Sequence, residues 1–350
     1  MDFVISFLSS AWPYAAALVA FLFLIVVHEF GHFIAAKTLG VKVNEFSVGF
    51  GPQIFRKKGK ETEYSLRLVP LGGFCAMEGE DEESTDQRAF CKKPAWRRFL
   101  IVVMGATFNI IFGIILVAFT LIPPKSFLTP TVAGFRDTAV SNSAGALEVD
   151  DIIVEVEGRN IFTVNDLSYN FTAVDDGKLD ITVLREGKRV NLKDVPFKTE
   201  VYEGYNIVTV DFYVKERPKT VGTFISQTFK TSYSYAQVVV YSLVDMVRGK
   251  YHISDISGPV GVTDAIGQAV KSSLPDLLAI LAMISINLGI MNLLPIPALD
   301  GGRLVFILLE MIFRRPVAKR WEKWVHAIGL AVLLLFMVAI TFKDIWVRIF

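Results

Sequence analysis

Four long apolar segments restrict the folds open to this chain. They lie at about 12–36, 99–122, 277–299 and 325–342. Each can cross a bilayer as a helix, for which about 20 apolar residues suffice. Because lipid offers no partners to backbone polar groups, the segments predict a polytopic α-helical membrane protein with four transmembrane helices. The first segment runs into His-Glu rather than a small-residue cleavage site, so we expect it to remain in the mature protein.

Basic residues predict the orientation in the membrane. Residues 36–98 contain twelve Lys or Arg and residues 301–324 contain six, whereas the first ten residues contain none. Cytoplasmic loops carry an excess of Lys and Arg, so both basic stretches are predicted to be cytoplasmic. The termini and the long connection at 123–276 are then extracytoplasmic. The net charge of +1 gives no reason to expect nucleic-acid binding.

Short β-like runs fill the first cytoplasmic stretch, within about 43–78. They are Val43–Val48, Gln53–Arg56, Tyr64–Val69 and Phe74–Met77, separated by glycines and by Pro70. This pattern predicts a small membrane-associated sheet or hairpin pair. Tyr64, Leu66 and Leu68 alternate with other residues, as in a half-buried strand.

The long connection is predicted to hold an inserted extracytoplasmic domain. Residues 127–200 contain short β runs and few long apolar stretches, which is typical of one small α+β domain. Residues 219–270 follow as a helical, amphipathic segment, in which Val221, Ile225 and Phe229 are spaced by four. We expect this segment to lie against the membrane surface. The second half of the membrane core is then 277–350, and the first half is 1–122.

The first apolar segment contains His28-Glu29-Phe30-Gly31-His32. Residues four apart lie on one face of a helix, so both imidazoles can bind a single Zn²⁺ while Glu29 is turned toward a metal-bound water. A charged residue at mid-helix costs about 2.5–3.5 kcal/mol on insertion scales. Zinc binding supplies on the order of 10 kcal/mol. The alternative is a His/Glu cluster that snorkels to the headgroups without a metal.

Asp300 is the candidate for the third ligand. A catalytic zinc takes three protein ligands and keeps one position for water, so two histidines leave the set incomplete. Asp300 ends the third apolar segment and precedes Gly301 and Gly302, which let the backbone bring the carboxylate close. Alternatively, Asp300 caps a helix that starts near Arg303.

Helix-breaking and polar residues interrupt the third apolar segment. Pro295 and Pro297 remove backbone donors there. Irregular backbone at membrane depth is tolerated only when it is buried in protein or lines a cavity, so a cavity-lining helix is predicted. Asn287 and Asn292 could hydrogen-bond an unwound substrate backbone or one another.

Taken in order, these motifs resemble the site-2 protease family. The matching positions are HEFGH, Gly105 with Asn109, Ser257-Gly258-Pro259, and the run from Asn292 to Gly302. The insertion between the second and third segments resembles the PDZ-like domain of the bacterial regulator of sigma E protease group. The resemblance implies an enzyme of the bacterial inner membrane, with one zinc held by His28, His32 and Asp300 and with Glu29 as the catalytic base.

The resemblance also implies a substrate-binding set. It points to backbone contacts from the asparagines of the broken helix, and to a re-entrant hairpin at about 62–76 that offers a strand edge to the substrate. The candidate residues are Asn287, Asn292, Pro295, Pro297, Tyr64, Leu66 and Leu68.

The insertion departs from the PDZ pattern at two turns. Asp150 stands where Gly is common, and Glu157 stands where Asn is common. There is also room for one such module and not for a tandem pair. Size filtering or docking is therefore as good an interpretation as the binding of peptide termini.

The predicted function is intramembrane zinc proteolysis. The implied substrates are single-pass membrane proteins, such as anti-sigma factors or signal-peptide remnants, after a site-1 protease has shed the outer portion. Membrane lipid is the other expected partner. One alternative is a proton- or ion-coupled transporter in which His28, Glu29, His32 and Asp300 form a relay. Another is a catalytically idle PDZ-bearing scaffold.

Overall fold

The computed structural model describes residues 2–80, 82–143, 145–171, 177–202, 205–249, 258–315 and 319–349. Two compact units share the chain, Met1–Thr120 with Leu243–Phe350, and Leu121–Ser242. In chain order the elements are α1 (Asp2–Thr38), β1 (Val43–Lys58), β2 (Glu63–Met77), α2 (Ala95–Thr120), β3 (Ser126–Phe135), β4 (Ile152–Val156), β5 (Arg159–Asn160), α3 (Val164–Asn170), β6 (Lys178–Arg185), β7 (Lys188–Pro196), β8 (Lys198–Tyr202), β9 (Tyr205–Thr209), β10 (Phe212–Pro218), α4 (Val221–Val247), α5 (Pro259–Ser272), α6 (Leu274–Leu293), α7 (Asp300–Phe313) and α8 (Lys319–Ile349).

Four helices of the first unit are long and apolar enough to cross a membrane, among the residues that the structure describes. These spans are Trp12–Thr38, Ala95–Thr120, Leu274–Leu293 and Arg320–Trp346. The prediction of four apolar membrane helices is thus confirmed. The third span ends at Leu293 and not near residue 299. Leu294 is extended, with φ −65° and ψ 145°, because the ring of the following proline disfavours helical backbone.

The β region of the first unit is a small antiparallel sheet built from β1 and β2, each of which contributes two segments. Segment 43–48 pairs with 73–77 on one side and with 63–66 on the other, and 53–58 pairs with 63–67. Tyr64 faces both Phe46 and Lys57, and Leu66 faces both Val48 and Phe55. Tyr64 and Leu66 therefore lie on a strand that is paired on both sides, whereas segment 73–77, which overlaps the predicted hairpin at about 62–76, pairs only with 43–48 among the described residues. Leu68 belongs to the same strand as Leu66.

The second unit contains a six-stranded antiparallel sheet with the order β10-β3-β4-β6-β7, and β5 pairs with β4. Its inward side chains include Val132, Ile153, Ile181 and Val183, all fully buried. Strand β10 pairs with β3. The sheet therefore continues beyond residue 200, the predicted end of the domain, because its last strand returns to pair beside β3.

The two turns that depart from the PDZ pattern have left-handed backbone. The φ angle is 76° at Asp150 and 50° at Glu157. Glycine and asparagine adopt this conformation at little cost, which explains why they are common there. Both residues also make polar contacts: Lys215 forms an ion pair with Asp150, and the Asp180 backbone N–H donates to Glu157 Oε1 at 2.7 Å.

The predicted amphipathic segment forms α4 and α5, while its residues 250–257 lie outside the described residues. The polar side of α4 faces inward within the second unit. There Ser234 donates to the buried carboxylate of Asp166, and Gln237 Nε2 donates to the Asn160 carbonyl at 2.6 Å. The apolar stripe, which contains Val221, Ile225 and Phe229, is exposed.

Candidate metal centre

Three ligand atoms converge where α1 meets the start of α7. His28 Nε2 lies 3.2 Å from His32 Nε2, since residues one helical turn apart share a face. Asp300 Oδ2 lies 3.0 Å from His28 Nε2 and 3.2 Å from His32 Nε2. Two ligands at about 2.0–2.1 Å from a tetrahedral zinc are about 3.3 Å apart. The spacing of the three atoms therefore fits such an ion.

Hydrogen bonding shows that His32 presents a lone pair at Nε2 to the other two atoms. His32 Nδ1 lies 2.9 Å from the Ile101 carbonyl oxygen, which only accepts, so Nδ1 carries the proton and the neutral ring leaves Nε2 as an acceptor. Apart from the two ring nitrogens, Asp300 Oδ2 has no hydrogen-bond donor among the described residues. With His28 also neutral and unprotonated at Nε2, the three acceptors would need a shared cation, and a divalent metal would satisfy all three together.

Helix α2 forms the wall behind the two imidazoles. A Cβ atom on Gly105 would lie 2.6 Å from His32 Cε1 and 2.9 Å from His28 Cε1. A Cβ atom on Gly31 would lie 2.9 Å from the Cα of Gly105. Because both positions are glycine, α1 and α2 can pack closely enough for the Ile101 carbonyl to reach His32.

The irregular segment 294–299 connects α6 to α7 and places Asp300 at the site. Helix α7 begins at Asp300 itself, after the extended Leu299, so Asp300 does not cap a helix that starts near Arg303. A Cβ atom on Gly301 would lie 2.5 Å from the carbonyl carbon of Leu294. Ala298 has left-handed backbone, with φ 78°, and its N–H donates to His326 Nδ1 of α8 at 3.0 Å.

Glu29 lies between the histidines in sequence and interacts electrostatically with His32, His28 and Asp300. Its Cγ atom lies 3.6 Å from the point that a Cβ on Gly73 would occupy. Segment 73–77 of β2 pairs only with 43–48 within the described part of the chain. The carboxylate therefore lies beside the metal site and next to a strand that is paired on one side.

The structure brings together only part of the predicted substrate-binding set. Asn292 Nδ2 lies 3.4 Å from His28 Nδ1, whereas Asn287 is exposed on α6. Pro295 and Pro297 lie in the irregular segment before Asp300. Tyr64, Leu66 and Leu68 are exposed on the sheet.

Two contacts of the site do not follow from spacing along the sequence, although Asn109 belongs to the same motif as Gly105. The Nδ2 atom of Asn109, on α2, lies 3.3 Å from His28 Nδ1. The Nδ1 atom of His326 accepts a hydrogen bond from the Ala298 N–H. The sequence signals were slight: an amide one helical turn after Gly105 in an apolar segment, and one of only four histidines.

Ion pairs join the elements around the site. Arg303 of α7 pairs with Glu80, and Arg98 of α2 pairs with Glu310 of α7. Near the end of α1, Lys37 and Arg88 donate to Glu61 at 2.6 and 2.5 Å. These hydrogen bonds hold the pKa of Glu61 below its ordinary value.

Comparison with known proteins gives one consistent result. The family description "Peptidase family M50" matches residues 16–336. A putative zinc metalloprotease of Fusobacterium nucleatum is 34% identical, over 92% of this chain and 95% of its own. A putative zinc metalloprotease of Clostridium perfringens is 35% identical, over 94% and 97%. The regulator of sigma-W protease RasP of Bacillus subtilis is 27% identical, over 94% and 97%.

Proposed function

The chain belongs to peptidase family M50, the site-2 protease family, and from this premise we propose that it is a membrane-embedded zinc endopeptidase whose ligands are His28, His32 and Asp300. The observation that carries the proposal is the convergence of His28 Nε2, His32 Nε2 and Asp300 Oδ2. The names of the relatives, putative zinc metalloproteases, support zinc as the metal.

The chemistry divides between the metal and Glu29. When bound, zinc activates water and polarises the scissile carbonyl. Glu29 accepts the proton of the attacking water and returns it to the leaving amine nitrogen, so one carboxylate serves as base and then as acid. The apolar residues around His28 and His32 keep bulk water away from the reacting atoms, which strengthens each electrostatic contact.

We propose that the substrates are transmembrane segments of single-pass proteins, cut after a site-1 protease has shed their outer portion. A helix in lipid hides its carbonyls in internal hydrogen bonds, so the enzyme must offer replacements. Segment 73–77 supports this role, because it is paired on one side and lies beside Glu29. An unwound substrate would add to that edge as a further strand, while Asn292, with Asn287 and the Pro295–Pro297 turn, would bind its other side.

The exposed side chains of Tyr64, Leu66 and Leu68 would then contact lipid or substrate side chains rather than a substrate backbone. Anti-sigma factors and signal-peptide remnants are the proposed physiological classes. The name of the Bacillus subtilis relative, a regulator of sigma-W protease, supports the first of these.

The proposed topology follows from the charge distribution. The chain would lie in the bacterial inner membrane with both termini and the PDZ-like second unit outside the cytoplasm, because its basic loops are 36–98 and 301–324. The active site would then face the cytoplasmic half of the bilayer. The exposed apolar stripe of α4 supports a contact of that helix with the membrane surface.

Family membership favours the peptidase over both alternatives. The match is to peptidases, and it gives the ion-coupled transporter no support. A catalytically idle scaffold would leave the complete His28–His32–Asp300 set without a use.

The test is metal analysis of the purified full chain, together with cleavage of a synthetic single-pass substrate in detergent. We expect one zinc per chain in the wild type and in Glu29→Gln, and cleavage only in the wild type. Glu63→Gln, a carboxylate of β2 away from the metal ligands, is the control and should cleave normally. Full cleavage by Glu29→Gln would refute the role of Glu29 as the base. Cleavage by zinc-free protein would refute the assignment of zinc to the site.

A further inference from the structure

Asn109 lies against the ring nitrogen of His28 that points away from the metal site. Its side chain is completely buried on α2, one helical turn beyond Gly105. Asn109 Nδ2 lies 3.3 Å from His28 Nδ1. The Oδ1 atom of the same amide is buried and has no hydrogen-bond partner among the described residues. A fully buried amide oxygen without a donor costs about 1–3 kcal/mol and calls for an explanation.

The ligand role of His28 supplies that explanation. Its Nε2 atom faces Asp300 and His32, so a neutral, metal-binding ring carries its proton on Nδ1 and needs an acceptor there. An Asn109 amide that offers Nδ2 to Nδ1–H brings two donors together. A half-turn about the Cβ–Cγ bond exchanges the two amide atoms, which gives Nδ1–H its acceptor and Oδ1 its donor.

His32 shows the same arrangement with a backbone acceptor. Its Nδ1–H donates to the Ile101 carbonyl of α2 at 2.9 Å. Metal-binding histidines generally donate their second N–H to a fixed acceptor, which sets the tautomer and the ring orientation. Helix α2 would thus supply one acceptor to each histidine, from the Ile101 backbone and from the Asn109 side chain.

Asn292 is the competing amide, since its Nδ2 lies 3.4 Å from the same His28 Nδ1. It differs from Asn109 in two respects. Asn292 lies in the last turn of α6, beside the irregular segment, and is only partly buried. Asn109 lies in mid-helix, and its backbone carbonyl accepts a hydrogen bond from Ser285 Oγ at 2.7 Å. The rigid, buried amide suits permanent orientation, and the partly exposed amide stays available to substrate.

We propose that Asn109 is a positioning residue that accepts the Nδ1–H of His28 through Oδ1 and so holds His28 Nε2 toward the metal. This inference rests on the proposed metal site. Removing the acceptor should weaken zinc binding by about 10- to 100-fold, the usual effect of losing such a partner.

The experiment measures zinc affinity of the full-length protein in detergent by competition with a chelator. Asn109→Leu, which keeps the size and removes the acceptor, should bind about 10- to 100-fold more weakly. Asn109→Asp, which keeps an oxygen acceptor, should restore most of the affinity. Thr107→Val on the same helix, whose hydroxyl donates to the Val103 carbonyl, is the matched control and should bind as the wild type. The visible spectrum of bound Co²⁺ should change in Asn109→Leu and not in Thr107→Val.

Wild-type affinity in Asn109→Leu would overturn the proposal, and so would an Asn109→Asp variant as weak as Asn109→Leu. If the leucine variant does not fold, Asn109→Ala takes its place, and wild-type affinity there overturns the proposal equally. A wild-type protein that binds no zinc would instead refute the proposed function. The two failures are therefore distinguishable.

Discussion

His326 Nδ1, on α8, accepts a hydrogen bond at 3.0 Å from the backbone N–H of Ala298. Ala298 lies two residues before Asp300 and has left-handed backbone, with φ 78°, a conformation that a non-glycine residue keeps only when its surroundings impose it. The fourth membrane helix therefore holds the segment that presents the third candidate ligand, although it supplies no ligand itself.

We predict that His326→Phe impairs the site without removing a ligand. The ring keeps its approximate size, but the Ala298 N–H loses its acceptor, and a misplacement of about 1 Å can cost on the order of 100-fold in rate. Cleavage should fall about 10- to 100-fold, with zinc affinity also reduced. Trp324→Phe, at an exposed position of the same helix, should cleave normally. Wild-type cleavage by His326→Phe would show that the hydrogen bond has no role in placing Asp300.

Two glycines of α2 allow packing effects to be separated from effects on the metal site. A Cβ on Gly105 would meet both imidazoles, whereas a Cβ on Gly113 would lie 2.5 Å from Ile286 Cγ1. Both alanine variants should lower thermal stability, because overpacking typically costs about 1–3 kcal/mol. Only Gly105→Ala should lose zinc affinity. Equal loss of zinc in the two variants would contradict the close contact of α2 with His28 and His32.

The ion pair between Arg185 and the buried Asp151 should be essential to the stability of the second unit. Arg185 donates to Asp151 Oδ1 at 2.8 Å and Oδ2 at 2.7 Å, and the Asp151 side chain is fully buried. Arg185→Met leaves that carboxylate unpaired, which costs about 3–5 kcal/mol. We expect rapid proteolysis within 121–242. Arg189→Met removes a surface pair with Glu155 and should change stability by no more than about 1 kcal/mol. Equal protease resistance of Arg185→Met and Arg189→Met would refute the prediction that only the buried pair with Asp151 stabilises the second unit.

The ion pairs of Glu61 should make stability depend on pH. Lys37 and Arg88 lower the pKa of this carboxyl from its ordinary value of 4.5. A pKa depressed by folding contributes stability that is present above the unfolded value and is lost as the pH falls through the folded value. The melting temperature of the wild type should exceed that of Glu61→Gln at pH 7, and the difference should disappear in acid. Parallel melting curves across the pH range would contradict this.

The convergence of the three candidate ligands could be predicted because it depends on local spacing and on the coordination number of zinc. His28 and His32 share a face at any position of a helix, and the need for a third ligand left Asp300 as the best candidate. The contacts of Asn109 and His326 could not be predicted, because they depend on how α2 and α8 are rotated about their axes. Packing over the whole unit decides that rotation.

The strand pairings that the sequence did not predict have a related cause. The alternation at Tyr64 and Leu66 correctly indicated a strand, but which strands lie at an edge depends on pairing between distant segments. The same holds for β10, whose partner β3 lies far away in sequence. Local patterns identified these elements, and long-range pairing decided their neighbours.

The three candidate ligands also leave the ribosome at very different times. His28 and His32 emerge early, in the first membrane helix, while Asp300 follows only after the whole second unit has been made. A chain whose synthesis stops short therefore carries two imidazoles that cannot complete the site. Because the candidate ligands are divided between the two ends of the sequence, the three-atom cluster can form only when synthesis of the chain is close to complete.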